Sequence, residues 1–260
     1  TIFVFSTWNL GEDYEWQIIK GVSKDTRRIF VTKSDDDGLT WSPAKEITND
    51  VKQPDWTWYA TGPCHAIQLR NGKHKGRLVV PCDHIERDSK KYYSHVIYSD
   101  DHGKTWKLGG TTPSDMVNEC SVVELENGEL MLNMRNYDRN VRTRKISVSS
   151  DGGMTWGELY SDSTLIEPIC QGSIARYSFQ NEGKSRILFL NPADTDERRN
   201  MTLRMSYDDA KSWAKSKVVY DGPSAYCDVT RLPNGNIGFL YEAGYIHPYE
   251  GIVYEAIQLS

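Results

Sequence analysis

The sequence predicts an all-β repeat protein built as a β-propeller, and three observations carry that reading. First, one eight-residue phrase is written four times. It reads Ser34-Asp35-Asp36-Asp37-Gly38-Leu39-Thr40-Trp41, then Ser99-Asp100-Asp101-His102-Gly103-Lys104-Thr105-Trp106. It returns as Ser149-Ser150-Asp151-Gly152-Gly153-Met154-Thr155-Trp156 and as Ser206-Tyr207-Asp208-Asp209-Ala210-Lys211-Ser212-Trp213. The Trp residues stand 65, 50 and 57 residues apart, and self-similarity at a period of roughly 40–60 residues marks blades, coils or arrays. Second, the text before each phrase alternates apolar and polar residues, at 28–33, 93–98, 144–148 and 200–205. That period of two is the strand signature. Third, a hairpin signal follows each Trp: Asn71-Gly72, Asn127-Gly128, Asn181-Glu182-Gly183 and Asn234-Gly235. No stretch carries a sustained helical period.

Each repeat therefore holds about four strands, two around the Asn-Gly turn and two around the phrase. Four-stranded units set around an axis make a propeller of about four to eight blades. Residues 28–50 finish one blade, and blades follow at 60–112, 117–162, 168–221 and 225–260. A β-helix needs shorter coils, and a sandwich has no need of the repeated phrase. Within the phrase, the Asp is expected to accept hydrogen bonds from backbone two residues on. Gly supplies a positive-φ position. The Trp starts the next strand and packs in the seam between units. A calcium or sugar loop is the competing reading. Lys33 stands where a calcium loop has its first carboxylate, and no Glu closes it.

A length of 260 residues suits one large all-β domain or two small ones, with a substantial core. A net charge of −5 with scattered Lys and Arg leaves no footprint for nucleic acid. No apolar run reaches the ~18 residues of a membrane span. Aromatic content of 11% suits β structure or carbohydrate contact. Residues 1–5 read as the middle of a strand, without a signal peptide or initiating Met. The expectation is that the chain starts upstream of them, and that localisation is not legible from this end. The five cysteines form no C-x-x-C pair, so neither a zinc site nor a redox pair is expected, and no cofactor is implied. Cys64, Cys120 and Cys227 each lie seven residues before a turn Asn, and Cys170 opens the corresponding strand of the remaining blade. A small buried residue on an inner strand explains that placement better than a nucleophile does.

In a propeller, inner strands converge on the axis and their first residues face a shared pit. The residue eight before the turn Asn is Pro63, Glu119 or Tyr226. Glu119 and Tyr226 thus hold equivalent axial positions in two blades. Either alone is an ordinary polar residue at a strand end; the shared offset makes them a candidate pair.

At this point the sequence resembles a family. The four phrases (Asp boxes), Asn118-Glu119-Cys120, Glu124-Leu125-Glu126-Asn127-Gly128 with Met134-Arg135-Asn136, Arg198-Arg199-Asn200-Met201-Thr202-Leu203-Arg204 and Gly222-Pro223-Ser224-Ala225-Tyr226 are similar to motifs of exo-α-sialidases (neuraminidases). One Asp box is weak evidence; the ordered set, running essentially end to end, is specific. The resemblance implies a six-bladed propeller, with residues 1–260 as its catalytic domain lacking the N-terminal blade. It implies hydrolysis, with retention, of terminal α-linked sialic acids on glycoproteins, glycolipids and oligosaccharides. By motif, Tyr226 becomes the nucleophile and Glu119 its proton acceptor. Arg135 and Arg198 become clamps on the substrate carboxylate, with Arg199 a one-residue alternative. A secreted, periplasmic or lysosomal setting is favoured; the oligomeric state is open.

The chemistry accounts for the residue types. Guanidinium forks match a carboxylate with paired, charge-assisted hydrogen bonds. Retaining glycosidases mostly attack with a carboxylate, sialidases with a Tyr. An anionic nucleophile would be repelled by the carboxylate on the sugar's own anomeric carbon, whereas a phenol approaches neutral. With a pKa near 10, about one phenol in a thousand is ionised at neutral pH, so a neighbouring carboxylate must take the proton.

In the family, the first clamp arginine and the acid/base Asp lie upstream of a further Asp box, and this chain begins after both. Asp55 and Asp83 are read as the nearest loop carboxylates, and neither is assigned as the acid. The segment alone is therefore expected to have little activity. Residues 53–59, with Trp56, Trp58 and Tyr59, read as a loop long enough to overhang the pit, to stack on sugar or simply to pack. His65 and His84 read as structural or solvated, Gln171 as a pocket residue, and Glu242 as a residue orienting an arginine. Asn200-Met201-Thr202 is a formal glycosylation sequon too near the clamp to carry a glycan. Rivals are a trans-sialidase and a noncatalytic sialoglycan-binding propeller.

Overall fold

The computed structural model describes residues 1–259. Four antiparallel sheets follow one another along the chain in a propeller arrangement. The first holds β1 (Ile2–Trp8), β2 (Arg28–Ser34) and β3 (Lys45–Glu46). The second holds β4 (Trp56–Thr61), β5 (Ile67–Gln68), β6 (Leu78–Glu86), β7 (Tyr92–Ser99) and β8 (Lys107–Thr111). The third runs β9 (Val117–Glu124), β10 (Leu130–Asn136), β11 (Thr143–Ser149) and β12 (Tyr160–Ile166). The last has six strands: β13 (Ser173–Ser178), β14 (Arg186–Pro192), β15 (Arg199–Ser206), β16 (Lys215–Arg231), β17 (Ile237–Ala243) and β18 (Gly251–Ile257).

Two differences from expectation concern boundaries. The units expected at 168–221 and 225–260 are hydrogen-bonded together, because β16 pairs with β15 through its first half and with β17 through its second. The first unit also extends upstream of residue 28 through β1 and a short helix, α1 (Glu15–Lys20), closed by Gly21 at φ 73°. A second helix, α2 (Thr48–Val51), links the first two sheets. Neither helix is long enough to have left a period in the sequence. Among the described residues, no helix is long and apolar enough to cross a membrane.

The Asp boxes form the hairpin turns after β2, β7, β11 and β15. Their closure reaches further than expected. Asp36 Oδ1 accepts from the Thr40 backbone N–H at 2.9 Å and Oδ2 from the Thr40 hydroxyl at 2.6 Å, four residues on rather than two. The Ser34 hydroxyl donates to Asp36 at 2.7 Å and accepts the Gly38 N–H at 2.8 Å. The same set recurs around Asp101, Asp151 and Asp208, with Ser212 in place of Thr. These hydrogen bonds hold the Asp36 carboxyl at about 2, below its ordinary 3.8. Ala210 stands at φ 62° where the other boxes have Gly. Its methyl is buried among Leu125, Met131 and Phe189. A Cβ on Gly103 would lie 2.2 Å from the Phe3 ring, so at that box only Gly fits.

The core lies in the seams between successive sheets. Ile29 and Val31 pack with Tyr59, Val80 and Ile97. Val79 and Val96 pack with Val122, Leu130 and Leu132, and Val123 and Ile146 with Ile174, Ile187 and Phe189. The box tryptophans bridge these seams as expected. Trp106 meets Phe3 and Phe5 edge-on at 5.7 and 4.7 Å. The Trp156 indole donates to Gly110 O at 3.0 Å, and that of Trp213 to Asp162 at 2.8 Å. Trp41 is exposed and donates to its own box, at Gly38 O. Four of the five cysteines are buried and Cys64 is half-buried. The Cys120 and Cys227 thiols each donate to a backbone carbonyl across a seam, and the Cys64 thiol to Gly172 O ahead of β13. Burial pushes Cys64 and Cys170 up to about 12, so these thiols stay protonated and unreactive.

Two polar groups of side chains lie inside this framework. Arg144, on β11, is fully buried, with Nη1 3.5 Å from Glu167. It also donates to Asn133 Oδ1 and Cys170 O, both at 2.6 Å. Glu167 accepts from the backbone N–H groups of Asn136 (3.1 Å) and Cys170 (3.0 Å). The pair thereby joins the end of β10 to the chain entering β13. On β6 and β7, His84 Nδ1 lies 3.0 Å from His95 Nδ1, and Trp56 stacks on His84. Burial drives His84 down to about 3 and His95 well below 6.5.

Gly103→Ala should lose about 1–3 kcal/mol of unfolding free energy, through overpacking against Phe3 and a strained φ. Arg144→Met leaves Glu167 buried and unpaired and should cost about 3–5 kcal/mol. Replacing both partners by apolar residues should recover part of that in denaturant titrations. The histidines stay neutral in the fold, whereas unfolded histidine takes a proton below about 6.5. Their contribution to stability is thus present above pH ~6.5 and lost as pH falls toward about 3. Denaturation measured at successive pH values should show that slope, and it should flatten in His84→Gln.

Candidate active site

The axial side chains are aimed by local strand geometry. In β9, strand alternation puts Glu119 on the face opposite Asn118 and Cys120. The β9–β10 register shifts between Met134 and Asn136, and the β16–β17 register shifts between Ser224 and Cys227. Arg135 and Tyr226 sit within these two irregularities. Such bulges bend a strand and re-aim a side chain, here toward the same pit. The backbone at Tyr226 is fastened by Glu242, which accepts the Tyr226 N–H at 3.1 Å. Glu242 thus orients the tyrosine strand rather than an arginine.

The four residues expected from the sequence converge. The Tyr226 hydroxyl donates to Glu119 Oε1 through a short hydrogen bond. Arg135 Nη1 donates to Glu119 Oε2 at 2.6 Å and to the Tyr226 oxygen at 3.2 Å. Arg198, in the loop before β15, lies with its guanidinium carbon 5.7 Å from the centre of the Tyr226 ring. It donates to Ile169 O at 3.0 Å and to the Tyr249 hydroxyl. Arg199 points elsewhere, to Asp221 O and Glu197. Of the two adjacent arginines, Arg198 is therefore the one at the pit. Beside Tyr226 is a cleft of about 210 Å³ lined by Pro63, Gln171, Asp228 and Glu242 among others.

Burial pushes the Tyr226 phenol far above its ordinary 10, and the charge and hydrogen bond of Glu119 add to that. Burial alone would lower Arg135; Glu119, Tyr137 and Tyr226 more than offset it, and its guanidinium is held charged more firmly than usual. The site thus contains a neutral phenol hydrogen-bonded to Glu119 and Arg135, with the Arg198 guanidinium beside its ring.

Several secondary expectations are corrected. Asp83 is not on a loop: it lies within β6 and is buried. Asp55 is exposed on a turn. Trp56, Trp58 and Tyr59 belong to β4, not to an overhanging loop. Trp56 and Tyr59 are core residues, and Trp58 carries the Arg27 guanidinium 4.1 Å from its ring centre. Gln171 borders the cleft, but its amide is engaged with the Cys227 backbone at 2.7 and 2.8 Å, stapling two inner strands. His65 pairs with Asp228 at 2.7 Å. Tyr249 and Tyr137 are site neighbours that the sequence reading did not single out. The aromatic cluster Tyr245, His247 and Tyr249 in one loop was the available signal for the first.

Known proteins similar to this chain carry sialidase or trans-sialidase names. A family model described as BNR repeat-like domain matches residues 1–239. The sialidase of Micromonospora viridifaciens is 38% identical over 219 residues, covering 82% of this chain and 33% of that protein. Among solved structures, the Hadza microbial sialidase Hz136 superposes with a TM-score of 0.85 at 31% identity, covering 99% of this chain and 50% of that one. The intramolecular trans-sialidase from Ruminococcus gnavus gives a TM-score of 0.75 at 27% identity, covering 90% of this chain and 51% of that one. The chain thus spans about half or less of the length of these relatives. By its repeats, its fold and these relatives, the chain belongs to the BNR repeat-like domain family and, within it, to the exo-α-sialidases.

Proposed function

We propose that this chain is the greater part of the catalytic propeller of a retaining exo-α-sialidase. The observation that supports this most is the three-way contact of Tyr226, Glu119 and Arg135, the last two from neighbouring strands of the third sheet and the tyrosine from β16 of the last. Arg135 and Arg198 hold the carboxylate of a terminal sialic acid, placing the anomeric carbon over the Tyr226 oxygen. As the phenol oxygen bonds to that carbon and the glycosidic bond breaks, the phenol proton passes to Glu119. The high proton affinity of Tyr226 makes this coupling necessary, since a free phenolate is not populated beforehand. Positive charge developing on the sugar is stabilised by the carboxylate and phenolate character beneath it. Water then releases the sugar with net retention.

Two further parts of the reading concern the whole protein. β1 exposes Ile2, Val4 and Trp8, and β17 and β18 expose Leu240, Ile252 and Tyr254. We infer that these apolar faces are covered by another sheet, closing a six-bladed ring. The acid/base Asp and the third clamp arginine implied by the resemblance come with it. The likeness to a trans-sialidase structure keeps transfer to a second glycan as the alternative reaction.

Residues 1–260 alone should bind sialyllactose and hydrolyse it poorly, whereas a longer chain carrying the upstream sequence should hydrolyse it. In that longer chain, Tyr226→Phe should lower kcat by at least about 100-fold and leave ligand affinity within a few-fold. A sialoglycan-binding protein would have no turnover to lose. Free sialic acid as product identifies the hydrolase, and sialylated acceptor identifies the transferase.

A further inference from the structure

Asp83 is the polar group the site does not yet account for. It is 1% exposed, and among the described residues neither carboxyl oxygen makes a hydrogen bond of regular geometry, the Trp58 side chain being the donor that faces it. Its place beside the candidate site is fixed by contacts across the seam between the second and third sheets. The Cys120 thiol donates to Cys82 O at 3.4 Å. Ser94, opposite Asp83 in the β6–β7 register, donates to Asn118 O at 2.5 Å. Asp83 and Glu119 are the residues next to these anchors in their strands. The cations nearby are engaged elsewhere: Arg135 with Glu119 and Tyr226, Arg27 over the Trp58 ring. Among the described residues, no ion pair joins either cation to Asp83.

A buried carboxyl that forms no ion pair is far more stable neutral than ionised. A second carboxylate nearby reinforces this, because like charges in one site cannot both ionise easily. We propose that Asp83 and Glu119 are a carboxyl pair carrying one proton, with Asp83 holding it, so that Glu119 remains free to receive the proton of Tyr226. Asp83 is then a positioning residue. While neutral, it does not compete for Arg135, which stays on Glu119 and Tyr226. Burial first and the Glu119 charge second push Asp83 well above the carboxylate range, with Arg27, Arg135 and the Trp58 side chain opposing. The other titratable groups coupled to it are Tyr59, Cys82, Cys120 and Tyr137. Burial raises all four, so they stay uncharged while Asp83 titrates. The role given to the pair rests on the sialidase reading of Glu119; the shared proton does not.

Infrared difference titration of the 260-residue chain tests the pairing without turnover. A protonated-carboxyl band should persist at neutral pH and be missing in Asp83→Asn. In Glu119→Gln, with the like charge removed, the band should titrate at least about one pH unit lower. Superimposable wild-type and Asp83→Asn spectra at neutral pH, or an unmoved band in Glu119→Gln, would overturn the proposal. If Asp83→Asn does not fold, the Glu119→Gln shift decides alone. In a turnover-competent longer chain, Asp83→Asn should move the alkaline limb of kcat/KM, which a purely structural residue would leave in place. Failure of Tyr226→Phe to affect turnover would sink the sialidase reading and leave the infrared result standing.

Discussion

A carboxylate saturated by its own turn is the constraint from which this structure is built. In each Asp box, one Asp accepts from a Ser hydroxyl, a Thr or Ser backbone N–H and that residue's own hydroxyl. All the donors lie within four residues, so the turn closes without tertiary help and fixes the outer hairpin of each sheet. The Trp that ends the box is then delivered to the preceding seam, where Trp106, Trp156 and Trp213 each find partners on the sheet before. A local motif thereby sets the spacing at which whole sheets stack.

Stacking brings the inner strands close enough to hydrogen-bond across seams, and the cysteines mark how close. Their thiols are small enough to fit between strands and donate to neighbouring carbonyls. The bulges at Arg135 and Tyr226 use this proximity, turning long polar side chains out of the sheets and onto the axis. The result combines groups that no single strand supplies. A phenol kept neutral by burial, a carboxyl group and guanidinium groups meet at one point. Low dielectric surroundings strengthen each of these interactions.

Buried charge in the fold is handled in two ways. Arg144 and Glu167 are fully desolvated but satisfied, each by the other and by backbone groups, and they tie the end of the arginine-bearing strand to the next inner strand. Asp83 has no such partners. Neutralisation is the inexpensive state for it, and the adjacent Glu119–Arg135 pair is the reason its charge matters to the site.

The repeat, the strand alternation and the Asn-Gly turns were legible because they are written in contiguous residues. So was the equivalence of Glu119 and Tyr226, which follows from a shared offset to the turn. The motifs also located Arg135 and narrowed the second cation to Arg198 or Arg199. The chain could not say which of that pair reaches the pit, because the choice depends on Ile169 and Tyr249, distant in sequence. The aromatics at 56–59 read as a loop and became a strand, since pairing with β6 decides that. Asp83 read as a loop carboxylate and proved to be buried, because burial is conferred by neighbouring sheets. Period and turn chemistry act over a few residues and are determined by sequence alone. Which side chains lose water, and which charges face one another, is decided only when the sheets close on the axis.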